Sequence, residues 1–205
     1  MSIKLRYIVL VCVLALLSLS VGCSKDDNTI DQQRTSIERF LTSSHVPRLI
    51  DYKDIETSLE SEPQFFEELS QDLYRYISTY YVEDRLSRKE VIPGSIVELR
   101  LTAYIFDGGT PKTEKVYFTN DEAVLVELQA LGLNTEFWSA EPLVLHLGSD
   151  KVIKGAEQSL YGCREGDSVE AYMTMDVAYG GSDLGIIPPK SPIVWSYTIL
   201  SVKNE

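Results

Sequence analysis

Three short runs within residues 152–189 decide the fold of this chain: Val152-Ile153-Lys154-Gly155, Ala178-Tyr179-Gly180 and Gly185-Ile186-Ile187-Pro188-Pro189. The first opens a short helical turn that reaches Leu160, and Gly162 and Gly166 follow as turn residues. From Ser168 to Met175 the chain alternates, with Val169, Ala171, Met173 and Met175 on one face, which predicts a strand with that face in the core. The second and third runs then form a glycine-containing loop. Ile193–Val202 is apolar on both faces, as a central strand requires.

Working back from this stretch, Pro142–Gly148 reads as another strand ending in a turn at Gly148. His146 interrupts its apolar run and reads as an outward strand residue rather than a base. In Val97–Ile105, Val97, Leu99, Leu101, Ala103 and Ile105 face one way, and Glu98, Arg100, Thr102 and Tyr104 the other. That is the pattern of a half-buried antiparallel strand, closed by the turn Asp107-Gly108-Gly109. Lys115–Thr119 is a short strand, and Asn120 is placed to cap a helix running through Leu125 and Leu131 to a stop at Gly132. Phe137 and Trp138 follow in loop-like context. The preferred reading is an insertion packed on its own helix; the alternative is an overhang that extends a binding surface.

Nearer the N-terminus, Thr29–Ser44 predicts an amphipathic helix with Ile37, Phe40 and Leu41 on one face and Thr35-x-x-Glu38 as a capping box. His45-Val46-Pro47 ends it. No second histidine, cysteine or acidic cluster accompanies His45 at ligand spacing, so no metal site is read. Ile50–Glu62 is irregular, and Pro63–Leu69 suggests a short helix. Leu73–Val82 predicts a strand with Tyr74, Tyr76, Tyr80 and Val82 on one face and Leu73, Ile77 and Tyr81 on the other. The tyrosine face reads as core beneath a helix, with a ligand platform as the alternative.

The three runs, in this order and at this spacing, resemble the FKBP family of peptidyl-prolyl cis/trans isomerases; the resemblance covers roughly Pro93–Val202. It implies an α+β fold, an FKBP-like bent antiparallel β-sheet wrapped on a short helix, here with an N-terminal helix/strand extension. It implies X-Pro isomerisation without a cofactor or metal, and proline-containing polypeptides as partners. By this resemblance Val152 and Ile153 wall the pocket, with the Ile153 amide donating to substrate. Tyr179 offers a hydroxyl, Ile186 and Ile187 form the loop wall, and Trp195 adds an aromatic from the last strand. Tyr117 stands at a pocket phenylalanine position and Leu143 at another aromatic one. The sequence departs from the family where Ala156 replaces a floor tryptophan, Phe118 an aspartate and Leu101 a tyrosine, and where the loop between Tyr179 and Ile186 is about one residue short. These departures keep a second reading open: a non-catalytic FKBP-like peptide-binding or chaperone module.

The address lies before the fold. Lys4 and Arg6 precede an uncharged apolar run, Tyr7–Leu19, too short to span a membrane but right for a secretory signal. Ser20-Val21-Gly22-Cys23 resembles a bacterial lipoprotein cleavage box, departing from it at Ser20. The expected organisation is a signal peptide at 1–22, lipidated Cys23 with a polar tether at 23–34, an extension at 35–92, and an FKBP-like domain at 93–205 with an insertion at about 110–141. A plain signal peptide and an uncleaved anchor are the alternatives. Ser24-Lys25-Asp26-Asp27 is similar to the sorting signal of surface-exposed Bacteroidetes lipoproteins, or is a solvated linker. The expectation is a monomer held at the outer membrane through Cys23, helping exported proteins fold. Of three cysteines only Cys163 remains in the folded part, so no internal disulfide forms. With 31 acidic and 19 basic residues the surface repels phosphate backbones, which argues against nucleic acid.

Overall fold

The structure, a computed structural model, describes residues 23–50, 54, 66–134, 136 and 138–204. The expected signal segment 1–22, most of the irregular stretch after Ile50, and Phe137 lie outside these residues. In chain order the elements are α1 (Cys23–Ser43), β1 (Phe66–Ser70), β2 (Leu73–Ile77), β3 (Ile96–Ile105), β4 (Val116–Thr119), α2 (Glu122–Ala130), β5 (Leu143–His146), α3 (Lys154–Leu160), β6 (Ser168–Met173) and β7 (Ile193–Lys203). The strands form one antiparallel sheet in the order β1-β2-β6-β7-β3-β4, with β5 also paired to β3. The fold is the expected α+β arrangement, and β7 is central, between β6 and β3.

Strand alternation gives the sheet two apolar faces. Leu73 and Ile77 of β2, Ala171 and Met173 of β6, and Ile193 and Trp195 of β7 join Ala156 and Leu160 of α3 in the larger core. The intervening residues Tyr74, Tyr76, Tyr172 and Val194 face the other way and are covered by Ile37, Phe40 and Leu41 of α1. Fully burying a large apolar side chain contributes about 1.5–3 kcal/mol, against about 0–1 for an exposed ion pair. The aromatic layer, not the surface charges, therefore holds α1 on the sheet. The tyrosines of β2 are core, as read from the sequence.

Four local expectations are corrected. α1 begins at Cys23 rather than Thr29, so Thr35 is mid-helix and caps nothing, and Glu38 instead accepts from the Tyr74 hydroxyl at 2.7 Å. Phe66–Leu69 is part of a strand, not a helix, because it pairs with β2 along Phe66↔Tyr76 and Glu68↔Tyr74; pairing at an open sheet edge overrides local propensity. β2 stops at Ile77 rather than Val82. Buried Asp167 there takes Thr79 Oγ1 at 3.2 Å and both Nε and Nη2 of Arg85 at 2.9 and 2.8 Å, which turns the chain and leaves Tyr80 and Val82 exposed. The cap of α2 is Asp121, which accepts from the Ala123 N–H at 2.9 Å. Asn120 is buried and bonds elsewhere. It fills the gap where β3 changes partner from β5 to β4, accepting from the Leu101 N–H at 2.6 Å and donating to the Leu99 and Glu141 carbonyls at 2.9 and 3.0 Å.

Candidate active site

The start of α3 fixes the centre of the site. Ile153 is its N-cap residue, in extended backbone at φ −61° and ψ 140°. N–H groups at a helix start have no intrahelical acceptor, and among the described residues none takes that of Ile153. Gly155 explains the glycine two places later: its N–H donates to the Val177 carbonyl at 2.7 Å. A Cβ there would lie 2.8 Å from Met173 Sδ and 2.9 Å from Val177 Cγ2. Only glycine lets α3 press this closely on β6 and the turn after it.

Around this start the sheet supplies aromatics. Trp195 of β7 is 7% exposed, and its indole Nε1 donates to the Tyr117 hydroxyl of β4 at 2.8 Å. The Tyr117 ring meets that of Tyr179 edge-on, with centroids 6.0 Å apart at 81°. Burial first, then the neighbouring Tyr179, holds the Tyr117 hydroxyl well above the usual tyrosine range, so it stays a neutral donor. Leu143, Val152, Ile153, Tyr117 and Tyr179 all pack, half-buried, on the core that contains Ala156 and Trp195. Trp195 thus brings an aromatic to a core where Ala156 offers only a methyl group.

The loop between β6 and β7 carries the remaining residues. Its neck is closed by Gly180 N–H to the Met175 carbonyl at 3.0 Å and by Lys190 N–H to the Gly180 carbonyl at 2.8 Å. Gly180 and Gly185 sit at φ +60° and +72°, left-handed conformations that favour glycine. The two isoleucines divide the work: Ile187 is 5% exposed and anchors the loop, whereas Ile186 is 60% exposed. Phe118 points away from the Tyr117 contacts and is 37% exposed. It joins Tyr117, Leu143, Pro142 and Trp138 in lining a groove of about 430 Å³. Trp138 therefore lines the same groove as Tyr117 and Leu143. His146 is exposed at the end of β5, facing outward as expected.

Against this geometry, residues 87–200 match the family described as FKBP-type peptidyl-prolyl cis-trans isomerase. The match covers more than half of the chain, and the chain belongs to that family. It is 27% identical over 117 residues to FK506-binding protein 1B of Aspergillus fumigatus, covering 55% of this chain and 82% of that one. It is 24% identical over 124 residues to peptidyl-prolyl cis-trans isomerase FPR2 of Saccharomyces cerevisiae, covering 60% of this chain and 75% of that one. Among solved structures, the three FKBP domains of wheat FKBP73 align with a TM-score of 0.50 at 13% identity, over 69% of this chain and 52% of that one. This chain thus spans about half of the wheat chain, and the likeness supports the fold. The N-terminal domain of FKBP42 from Arabidopsis thaliana aligns at 0.45 and 14% identity, over 68% of this chain and 92% of that one.

Of the residues singled out in the sequence, the fold brings Tyr117, Leu143, Val152, Ile153, Ala156, Tyr179 and Trp195 to one core and Phe118 to the groove beside Tyr117 and Leu143, whereas Ile186 and Ile187 stay on the loop between β6 and β7. Sequence reading did not foresee the Trp195–Tyr117 bond. The signal available was a second polar aromatic on a strand facing the motif, but no local spacing links positions 78 residues apart.

Proposed function

We propose that this chain is a membrane-tethered peptidyl-prolyl isomerase that helps exported proteins fold. One observation carries the reading of the site: the aromatic corner of Tyr117, Tyr179 and Trp195 stands on the same core as Ile153, whose N–H opens α3. An X-Pro amide resists rotation by about 18–20 kcal/mol because resonance holds it planar. An apolar corner takes the proline ring and removes water from the carbonyl, which favours the twisted amide over either planar isomer. The Ile153 N–H then holds the substrate backbone, and the tyrosine hydroxyls donate to the rotating carbonyl. Val152, Leu143 and Ile187 complete the wall, Ala156 lies beneath it, and Ile186 and Phe118 meet the flanking residues of the peptide.

The proposal includes the address: a signal at 1–22 and lipid on Cys23, with the isomerase domain from 93; the expected polar tether at 23–34 is instead the first half of α1, where Gln33 and Arg34 bind the domain, so the packed extension begins within 23–34 rather than at 35. The acidic run after Cys23 supports an outer-membrane, surface-exposed position, and the proposal takes the chain as a monomer. A second reading, a peptide-binding module without turnover, is favoured by Trp195 already occupying an acceptor site of Tyr117 and by the exposed Phe118 groove. A protease-coupled isomerisation assay with several Xaa-Pro peptides separates the two. Acceleration by the parent that Ile153→Asp abolishes supports the isomerase; a folded parent that binds the peptides without accelerating them assigns the module.

A further inference from the structure

The loop that carries Tyr179, Ile186 and Ile187 is tied at both ends by one side chain from outside the family-matched region. Gln33 of α1 accepts from the Met175 N–H through Oε1 at 2.8 Å and donates through Nε2 to the Lys190 carbonyl at 2.7 Å. Met175 lies just past β6 and Lys190 just before β7, so a single amide bridges the two feet of the loop. Gln33 and Met175 are both buried. Lys190 is held in the left-handed region at φ +62°, which a lysine adopts only when its surroundings hold it there. Its N–H is taken by Gly180, its carbonyl by Gln33 and its ammonium by Asp26 of the same helix. α1 itself is fastened elsewhere, by the aromatic layer and by Arg34, which grips Asp72 through Nε and Nη2 at 3.0 and 2.9 Å.

We propose that Gln33 is a positioning residue for the isomerase site, and that α1 is the brace through which the N-terminal extension shapes the pocket loop. This rests on the reading of Tyr179, Ile186 and Ile187 as pocket wall. Closing a loop at its feet removes conformations that substrate would otherwise have to freeze on binding. The effect therefore falls on binding more than on the rotation step.

The test compares the full chain with Gln33→Met, which keeps the size but loses both bonds, and Gln33→Glu, which keeps the acceptor for Met175. In Gln33→Met, amide hydrogen exchange across 176–190 is expected to quicken about tenfold while β3 and β7 stay protected, and KM for an Xaa-Pro peptide to rise several-fold with kcat little changed. Gln33→Glu recovers part of both. Unchanged loop exchange in a folded Gln33→Met overturns the brace, as does a loss of protection spread evenly over the sheet. If Gln33→Met does not fold, the exchange pattern of Gln33→Glu decides the same question. Should Ile153→Asp leave isomerisation intact, the pocket reading fails, while loop exchange still judges the brace by itself.

Discussion

Asn120 shows what a single residue does when a strand changes partners. β3 leaves β5 and joins β4 around Arg100, and the Leu101 N–H and Leu99 carbonyl would otherwise be buried without partners. The Asn120 side chain answers both and adds the Glu141 carbonyl. Each buried group left unpaired costs about 1–3 kcal/mol. Asn120→Ala is therefore expected to lower unfolding free energy by about 3 kcal/mol in urea titration, and Asn120→Asp by at least as much at neutral pH, since it turns a buried carboxylate oxygen toward the Leu99 and Glu141 carbonyls. The sequence could not separate this role from capping: Asn120 and Asp121 are both good caps, and only tertiary pairing decides which one caps. The pocket divides in the same way. Val152, Ile153 and Tyr179 sit in short runs whose spacing is local, and the fold packs all three on one core; the reason for glycine at 155 is the close approach of Met173 and Val177, which no local spacing announces. The Trp195–Tyr117 bond joins two strands and was not legible either.

Among the elements, those with strong periodicity were read well. β3, β6 and β7 alternate or run apolar according to their places in the sheet, and the stripe on α1 is buried as its spacing implied. β1 was misread because Glu67, Glu68 and Leu69 favour helix locally, and the partner edge lies in β2. The turn after α1 carries a pH signature. His45 sits edge-on to Phe40 and Phe66, with Nδ1 2.8 Å from the Pro47 carbonyl and Nε2 3.2 Å from Glu170, which also accepts from Tyr172. Burial alone would lower its pKa, but the bonds to Glu170 and Pro47 outweigh that and raise it above 6.5. A raised folded-state pKa gives stability that is complete below the unfolded value and is lost as pH rises through the folded one. Urea midpoints of the parent are therefore expected to fall as pH rises through and above the ordinary histidine range, with the slope flattened in His45→Phe. Parallel slopes for the two proteins would contradict the assignment.

At the scale of the whole molecule, one sheet is covered on both faces, by α3 within the family-matched region and by α1 from the extension. The extension is thus continuous with the isomerase sheet, through β2 paired to β6. That continuity was only partly legible, because the aromatic layer draws on residues as far apart as Ile37 and Val194. The proposed lipid on Cys23 makes its own prediction: Cys23→Ser is expected to move the protein from the membrane fraction to the soluble envelope fraction, read by immunoblot, and retention in the membrane would count against a lipid on Cys23. The central claim is that the corner at Tyr117, Tyr179 and Trp195 turns over X-Pro bonds. It is tested most directly by NMR exchange spectroscopy on an Xaa-Pro peptide, which reads cis–trans interconversion without a coupling protease. The expected result is exchange cross-peaks with catalytic amounts of the parent, weakened with Tyr179→Phe and absent with Ile153→Asp. Peptide shifts that show binding while cis and trans signals remain unexchanged would contradict it.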